Sequence, residues 1–515
     1  MRRLSGPVVL STIVLAGWMT AAAGQDAGTE PASPPGSPQG DANGAAQSLA
    51  PGVIPQPTPE NPGVVLGVTL GELYTDNVKL AARGTPSEDS WITVVRPFIK
   101  SAWASPRFYG TFDYTLNGYL YANQIGSSQL GQELDAQATL VVLPQHLFID
   151  GMARYGRQVI NSALPSASGT FFLNGNQANV AMATISPYWT QDLGPVGTML
   201  LRVTGGRVMY NRNGIRGESQ GALTGLSNVN IGGVQFSLTS PDYQTWGWNV
   251  GYDEQRLYPD SGTNSDFASA QVGVSRQVGP NVRLMADVGR ENKYLPDGSY
   301  SKLDAGFWDA GVQWTTSRDN FTVKVGHRFF GRSGELSWTH NAALLTTTVS
   351  YVEQPTDLNQ QLLGQGTGVV IPPSNINVPA LNDRRVYLMK RASVSASYEM
   401  PKSRLTLLLY DESRRYFQLD NAQEKVADAS LSWLFNLGPN TTFTPTLGWQ
   451  RYRYLTGQVN YNRYAQFALV HQYDLRNFGS IRLRNDSRNA YGPIPGAHGY
   501  RVNVIYVEWT HLFKG

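Results

Sequence analysis

Three observations predict an all-β chain, an up-and-down transmembrane antiparallel β-barrel of about 22 strands. Long stretches alternate apolar and polar residues at period two. Turn residues break them at regular intervals. One set of connections is short, and the other is long and polar. Residues 265–294 show the unit. Ala268, Ala270, Val272, Val274 and Val278 fall on one side, and Ser269, Gln271, Gly273, Ser275 and Gln277 on the other. Gly279-Pro280-Asn281 stops the run. Val282, Leu284, Ala286 and Val288 then alternate with Arg283, Met285, Asp287 and Gly289. Strands of roughly 10 residues cross a bilayer when tilted. The face carrying Ala268, Val272, Val274, Val282, Leu284 and Val288 is therefore expected to meet lipid.

Composition agrees. Of the 515 residues only 15% are charged, against about 25% in soluble proteins. A mean hydropathy of -0.29 excludes a helical membrane protein but not a barrel, whose strands are half polar. The net charge of +3 gives no polyanion bias, so no nucleic-acid partner is expected. The absence of cysteine excludes disulfides, thiolate metal sites and a lipid-modified N-terminal cysteine.

Arg2 and Arg3, the apolar run 8–18 and Thr20-Ala21-Ala22-Ala23-Gly24 read as a secretory signal peptide over 1–24. Residues 25–62 are rich in Pro, Gly, Ala, Ser and Gln. They read as a disordered periplasmic linker, too short for a folded plug. The barrel is expected over 63–515.

Its strands follow in order. Segment 64–73 opens the series. Segments 91–104 and 108–122 turn at Ser105-Pro106-Arg107, and 134–143 and 147–160 at Pro144-Gln145-His146. Segments 179–191 and 198–210 meet at Gly194-Pro195, and 228–239 and 243–258 at Ser240-Pro241-Asp242. After the hairpin already described, 306–316 meets 321–330 across Ser317-Arg318-Asp319-Asn320. The opposite connections 161–175, 211–227 and 259–264 are long and polar. Short periplasmic turns and long external loops orient the barrel. Segment 335–353, taken as one strand, would put 354–383 on the periplasmic side. Split near Asn341-Ala342-Ala343, it gives two short strands and keeps the long loop outside. Segments 385–399, 404–418, 426–437, 441–454, 461–474, 481–489 and 500–513 complete the set. In the last, Ile505, Val507, Trp509, His511 and Phe513 share a face. An aromatic near the C-terminus with apolar residues at alternate positions before it resembles the terminal-strand signal by which outer-membrane proteins engage the assembly machinery, with Lys514-Gly515 after the Phe as a departure from it.

Several stretches resemble a known family. They are ELYTDNVKLA at 72–81 followed by WITVVRPFIK, GHRFFGRSGELSWTH at 326–340, YLMKRASVSASY at 387–398 and LLLYDESRRYFQ at 407–418. They look like the PEP-CTERM system-associated outer-membrane β-barrels, grouped with β-barrel porins. The resemblance follows the barrel region in order. It implies a Gram-negative outer-membrane location and a passive channel linked to exopolysaccharide export. It supplies no catalytic residues.

The six histidines show no HExxH or paired metal spacing, so no metal or cofactor is expected. No nucleophile–base–orienter set is visible, so no enzyme is expected. Tyr109, Tyr114, Tyr119 and Tyr121, or Trp433 and Phe435, read as interfacial girdles. Tyr387, Tyr410 and Tyr452 face inward by alternation, and a sugar-stacking slide is the sharper reading of them.

Charges are the best lead. By period two Arg283, Lys324, Arg328, Arg385, Arg391, Arg414, Arg482, Arg484 and Arg488 point into the lumen, as do Asp287, Glu399, Glu412, Asp428 and Asp486. On the lipid face each charge would cost about 2–4 kcal/mol at midplane. An ion-pair network that stiffens the barrel is favoured over a cationic stripe that attracts anionic solute, because acids interleave with the bases. Without a plug, the lumen is open, partly filled by 354–383, or narrowed by an oval cross-section. Outer-membrane lipid is the surrounding partner, and polysaccharide is the candidate cargo. The alternative is a non-transporting surface barrel whose external loops bind a partner or anchor surface material.

Overall fold

The computed structural model describes residues 57, 61–122, 128–167, 169–211, 227–241, 244–362, 385–420 and 422–513. The expected signal peptide 1–24, nearly all of the expected linker 25–62, and 363–383 of the expected long loop lie outside the described residues.

The described chain forms one sheet of 22 strands. The first are β1 (Gly63–Thr75), β2 (Ser90–Ala104), β3 (Phe108–Tyr121), β4 (Gln129–Leu143), β5 (Leu147–Val159) and β6 (Gln177–Asp192). Then come β7 (Thr198–Asn211), β8 (Val229–Thr239), β9 (Trp246–Pro259), β10 (Ser265–Gln277), β11 (Val282–Tyr294) and β12 (Tyr300–Thr315). Next are β13 (Asp319–Arg328), β14 (Gly331–Asn341), β15 (Leu345–Thr356), β16 (Tyr387–Met400) and β17 (Ser403–Tyr416). The last are β18 (Gln423–Gly438), β19 (Thr441–Arg453), β20 (Val459–Gln472), β21 (Asn477–Tyr491) and β22 (Tyr500–Leu512). Each strand pairs antiparallel with its chain neighbour. β22 pairs with β1 from Gly67↔Leu512 to Thr75↔Val504. Closure removes both sheet edges, the condition for β structure in lipid, where no water can satisfy a bare backbone.

The strand number and the division of 335–353 into β14 and β15 are as expected. Several strands start earlier than the apolar alternation suggests, two of them by five residues or more. β4 begins at Gln129 rather than 134, and β12 at Tyr300 rather than 306. Both extensions are mostly polar on both faces, so period two vanishes while the ladder to β3 and β11 continues.

The lipid-facing side is also as expected along most of the β10–β11 hairpin. Val272, Val274, Leu284 and Val288 are 51%, 53%, 45% and 60% exposed on the barrel's outside. Ala268 departs from this, at 2% exposed. It stands opposite Glu254 on β9, and the ion pair of Glu254 with Lys302 on β12 (2.5 Å) crosses over β10 and β11. Trp103, Trp246, Trp314, Trp433 and Trp509 are exposed towards the short-turn end, where an aromatic girdle belongs. Tyr119 and Tyr121 are not girdle residues. They turn inward, and Tyr119 is buried against Phe171.

Candidate functional site

Antiparallel register sets the chemistry of the lumen wall, because residues directly opposite share a face. Arg391 on β16 stands opposite Glu412 on β17, and the two ions lie 2.5 Å apart. Glu412 is fully buried and also accepts from Arg414 and the Tyr410 hydroxyl. Arg414 donates to the Tyr452 hydroxyl at 2.6 Å and lies 3.7 Å from Glu424. On β21, Arg484 makes two hydrogen bonds to Asp486, at 2.7 and 2.8 Å. Lys324 lies 3.2 Å from Asp287, and Arg328 lies 2.6 Å from Glu291 and 2.8 Å from Asp309. Glu508 on β22 sits 3.3 Å from both Arg96 on β2 and Arg482 on β21. One carboxylate thus holds strands on both sides of the β1–β22 seam.

Of the nine cations singled out from the sequence, Lys324, Arg328, Arg391, Arg414, Arg482 and Arg484 are engaged by carboxylates. Arg283 instead donates to Gln277 (3.1 Å) and Ser275 (3.4 Å) near the short-turn end. Arg385 lies just before β16, its guanidinium 4.8 Å from the Tyr416 ring centre. Arg488 reaches main-chain carbonyls, as described below. Glu399 pairs with Arg404 at the periplasmic end, away from the other networks. Glu508, Arg96 and Arg202 were missed. Arg202 pairs with Asp150 at 2.7 Å and covers the Tyr188 ring at 4.2 Å. Their inward phase was readable, but the apolar signal of their strands drew attention to the other face.

The expectation for 161–175 was an external polar loop. The described residues 160–167 and 169–176 instead cross the lumen as a strap. Ala163 packs with Tyr410, Val426, Tyr452 and Tyr454, on the far wall from β5 and β6. Ala167, Phe171 and Phe172 pack with Leu73, Val78, Ile92, Tyr119, Val502 and Tyr506. Among its described residues the strap has no helix or strand of its own, so its buried carbonyls need donors from elsewhere. Arg488 supplies two, to Leu164 and Ser162. The Tyr500 hydroxyl donates to Ser166, the Tyr121 hydroxyl to Phe171 at 2.5 Å, and Asn460 to Ala163 at 3.3 Å. Asn176 and Asn174 brace it internally, donating to Asn161 (2.8 Å) and Pro165 (2.6 Å).

A second segment enters from the other side. After β15 the short helix α1 (Leu358–Leu362) turns inward. Leu358 joins Ile160, Val180, Val208, Ile231, Leu257 and Phe267 in one buried cluster. Asn359 accepts from the Tyr210 hydroxyl (3.1 Å), and Gln360 donates to Gln255 (2.7 Å). The described start of the long loop therefore does fill part of the lumen. The external half of the barrel is narrowed from two sides.

Tyr387, Tyr410 and Tyr452 do face inward, but they are 1%, 4% and 1% exposed. Each is packed into these networks, so none offers a free ring for sugar stacking. Nearer the periplasmic end, the inward wall of β15–β19 is lined by hydroxyls. Ser350 and Ser393 (2.7 Å apart) and Ser432 and Thr446 (3.3 Å) are hydrogen-bonded across strands. Thr348, Ser395, Ser430 and Thr444 share their face.

No family profile matches the chain, and no curated protein does. Solved structures similar to it include the apoprotein form of the FrpB iron transporter from Neisseria meningitidis. That match has 12% identity, covers 92% of this chain and 83% of the other, and has a TM-score of 0.48. A ferric enterobactin receptor PfeA mutant from Pseudomonas aeruginosa is 8% identical, with 89% and 81% covered and a TM-score of 0.45. The siderophore receptor PirA from Pseudomonas aeruginosa is 10% identical, with 89% and 82% covered and a TM-score of 0.41. The strand count and closure stand on the chain's own pairing. A closed 22-stranded antiparallel barrel with an apolar outer belt and a tryptophan girdle is an outer-membrane protein of a Gram-negative cell.

Proposed function

We propose that this barrel is an outer-membrane conduit for a neutral, hydroxyl-rich solute, with the strap 160–176 as its constriction. Polysaccharide, the cargo implied by the sequence resemblance, is of that chemistry. The observation that carries the reading is the character of the inner wall. Six of its nine named cations are engaged by acids on the same or nearby strands, and its periplasmic half on β15–β19 is lined by hydroxyls. Rings of unmatched arginine or lysine select anions, whereas a wall of matched charges and hydroxyls presents little net field. The anionic-solute reading accordingly gives way to a neutral one.

The test is conductance in planar bilayers, with liposome swelling in uncharged oligosaccharides alongside. Replacing 162–174 by a short Gly-Ser linker, or making Arg488→Leu with Tyr500→Phe, releases the strap from its donors. Conductance and swelling rates should then rise severalfold over wild type. Unchanged conductance in both variants would mean that the strap is not the constriction. A barrel silent in every form would leave the non-transporting surface barrel as the reading.

A further inference from the structure

The outer wall carries a second set of cations that the lumen networks do not use. Register places Lys425 on β18, Arg451 and Arg453 on β19, and Arg463 on β20 on the outward face. Lys425 stands opposite Arg453, Arg451 opposite Tyr461, and Arg463 opposite Trp449. All four are exposed. Among the described residues none of the four is in an ion pair, and Arg451 meets the Tyr461 ring at 5.8 Å. Several outward cations elsewhere on the wall are matched: Arg207 with Asp260, Arg256 with Glu254 and Asp266, Lys302 with Glu254, and Lys390 with Glu353. Arg276, Arg290 and Arg501 are outward without an ion pair among the described residues, but they are not grouped on neighbouring strands as these four are. The nearest acid by register is Asp411 on β17, opposite Ala427.

By register the four cations fall within one stretch of β19, from Arg453, opposite Lys425, to Trp449, opposite Arg463. Towards the short-turn end the same strands present Leu431, Leu447, Trp449, Phe467 and Leu469 to lipid. Towards the long-loop end β19 stops at Arg453 and β20 starts at Val459. The cluster therefore lies where hydrocarbon gives way to headgroups in the external leaflet. Residues two apart on a strand stand about 6.6 Å apart, and directly opposite residues about 5 Å. Two guanidinium groups and an ammonium at that spacing can share one phosphate, which guanidinium binds in bidentate fashion. Trp449 and Tyr461 flank the cations with flat amphipathic rings suited to an interface.

We propose that Lys425, Arg451, Arg453 and Arg463 form a site for the phosphorylated saccharide headgroup of outer-leaflet lipopolysaccharide. The four charges are held at the headgroup level without internal partners, and the phosphates supply the missing anions.

The experiment uses the full barrel in phosphatidylcholine nanodiscs. Bisphosphorylated lipid A, fully dephosphorylated lipid A or phosphatidylglycerol is added, and binding is followed by native mass spectrometry. Wild type should retain bisphosphorylated lipid A about tenfold more tightly than either other lipid, the discrimination expected when charge-assisted contacts are lost. The quadruple variant K425Q/R451Q/R453Q/R463Q should lose that margin. Arg207→Gln, which removes a matched outward cation, should keep it. Heat-modifiable migration confirms that each variant is folded, and Arg451→Gln with Arg463→Gln replaces the quadruple change if that one does not insert. Equal retention by the cluster variants and wild type, equal retention of dephosphorylated lipid A, or equal retention of phosphatidylglycerol overturns the assignment.

Discussion

Arg414 and Arg453 belong to neighbouring parts of one wall and have opposite surroundings. Arg414 faces the lumen, fully buried, with Glu412, Tyr452 and Glu424 around it. Arg453 faces outward, exposed, opposite another cation. The same side chain is structural on one face and available on the other. A buried guanidinium without partners would be strongly unfavourable, so the inner face supplies acids to most of its arginines and main-chain carbonyls to Arg488. An exposed one is hydrated at little cost, so the outer face is free to leave it for a ligand.

The sharpest way to break this comparison is Glu412→Gln. It leaves Arg391 and Arg414 buried beside a neutral amide, and breaking such a pair costs about 3–5 kcal/mol. The urea midpoint of the heat-modifiable band should fall accordingly. A loss below about 1 kcal/mol would mean that the inner cations are solvated like the outer ones.

Next in size is the contrast between the faces of β10 and β11. Leu284→Arg should cost about 2–4 kcal/mol of insertion, because it puts a charge on the lipid side. Gln271→Arg, on the lumen side, should insert nearly as wild type. Equal defects in membrane-fraction yield would show that the outer face packs on protein.

A smaller effect is expected for R482Q/R484Q. Both arginines are bound to carboxylates, Glu508 and Asp486. Stability should drop by about 1–3 kcal/mol, as charged hydrogen bonds are lost. The reversal potential in a salt gradient should stay close to wild type. A clear shift towards cation preference would restore the arginines as a selectivity stripe. The smallest effect is Arg453→Gln, expected within about 0.5 kcal/mol of wild type in the same urea assay, with any change confined to lipid retention.

The barrel was legible because its signal is local. Strand number, the division of 335–353 and the outward side of β10 and β11 follow from alternation and turn residues. So does the inward phase of Arg391, Arg414, Arg482 and Arg484. Partner identity was only partly legible. Asp486 lies two residues from Arg484, and Glu412 was already placed inward. Glu508 was not seen, because the alternation of β22 drew attention to its outward aromatics. The strap was the main miss. Residues 161–175 carry Asn, Ser, Ala, Pro and Gly, the composition of any exposed loop. Phe171 and Phe172, side by side among small residues, were the one hint that the segment buries itself. Nothing local could reveal that Arg488 and Tyr500 hold it, since those donors lie more than 300 residues further along the chain.

That separation has a consequence for the order of events during biogenesis. The strap leaves the wall after the fifth strand, yet three of its donors, Asn460, Arg488 and Tyr500, stand on β20, β21 and β22. Contacts so distant in sequence form late, because a long loop must be closed first. A barrel halted before β21 would carry the strap without Arg488 and Tyr500, and with β1 unpaired along the edge that β22 covers. The last two strands therefore close the wall and anchor the strap in one step, so that an unfinished barrel and a finished one differ in what crosses their interior as well as in closure.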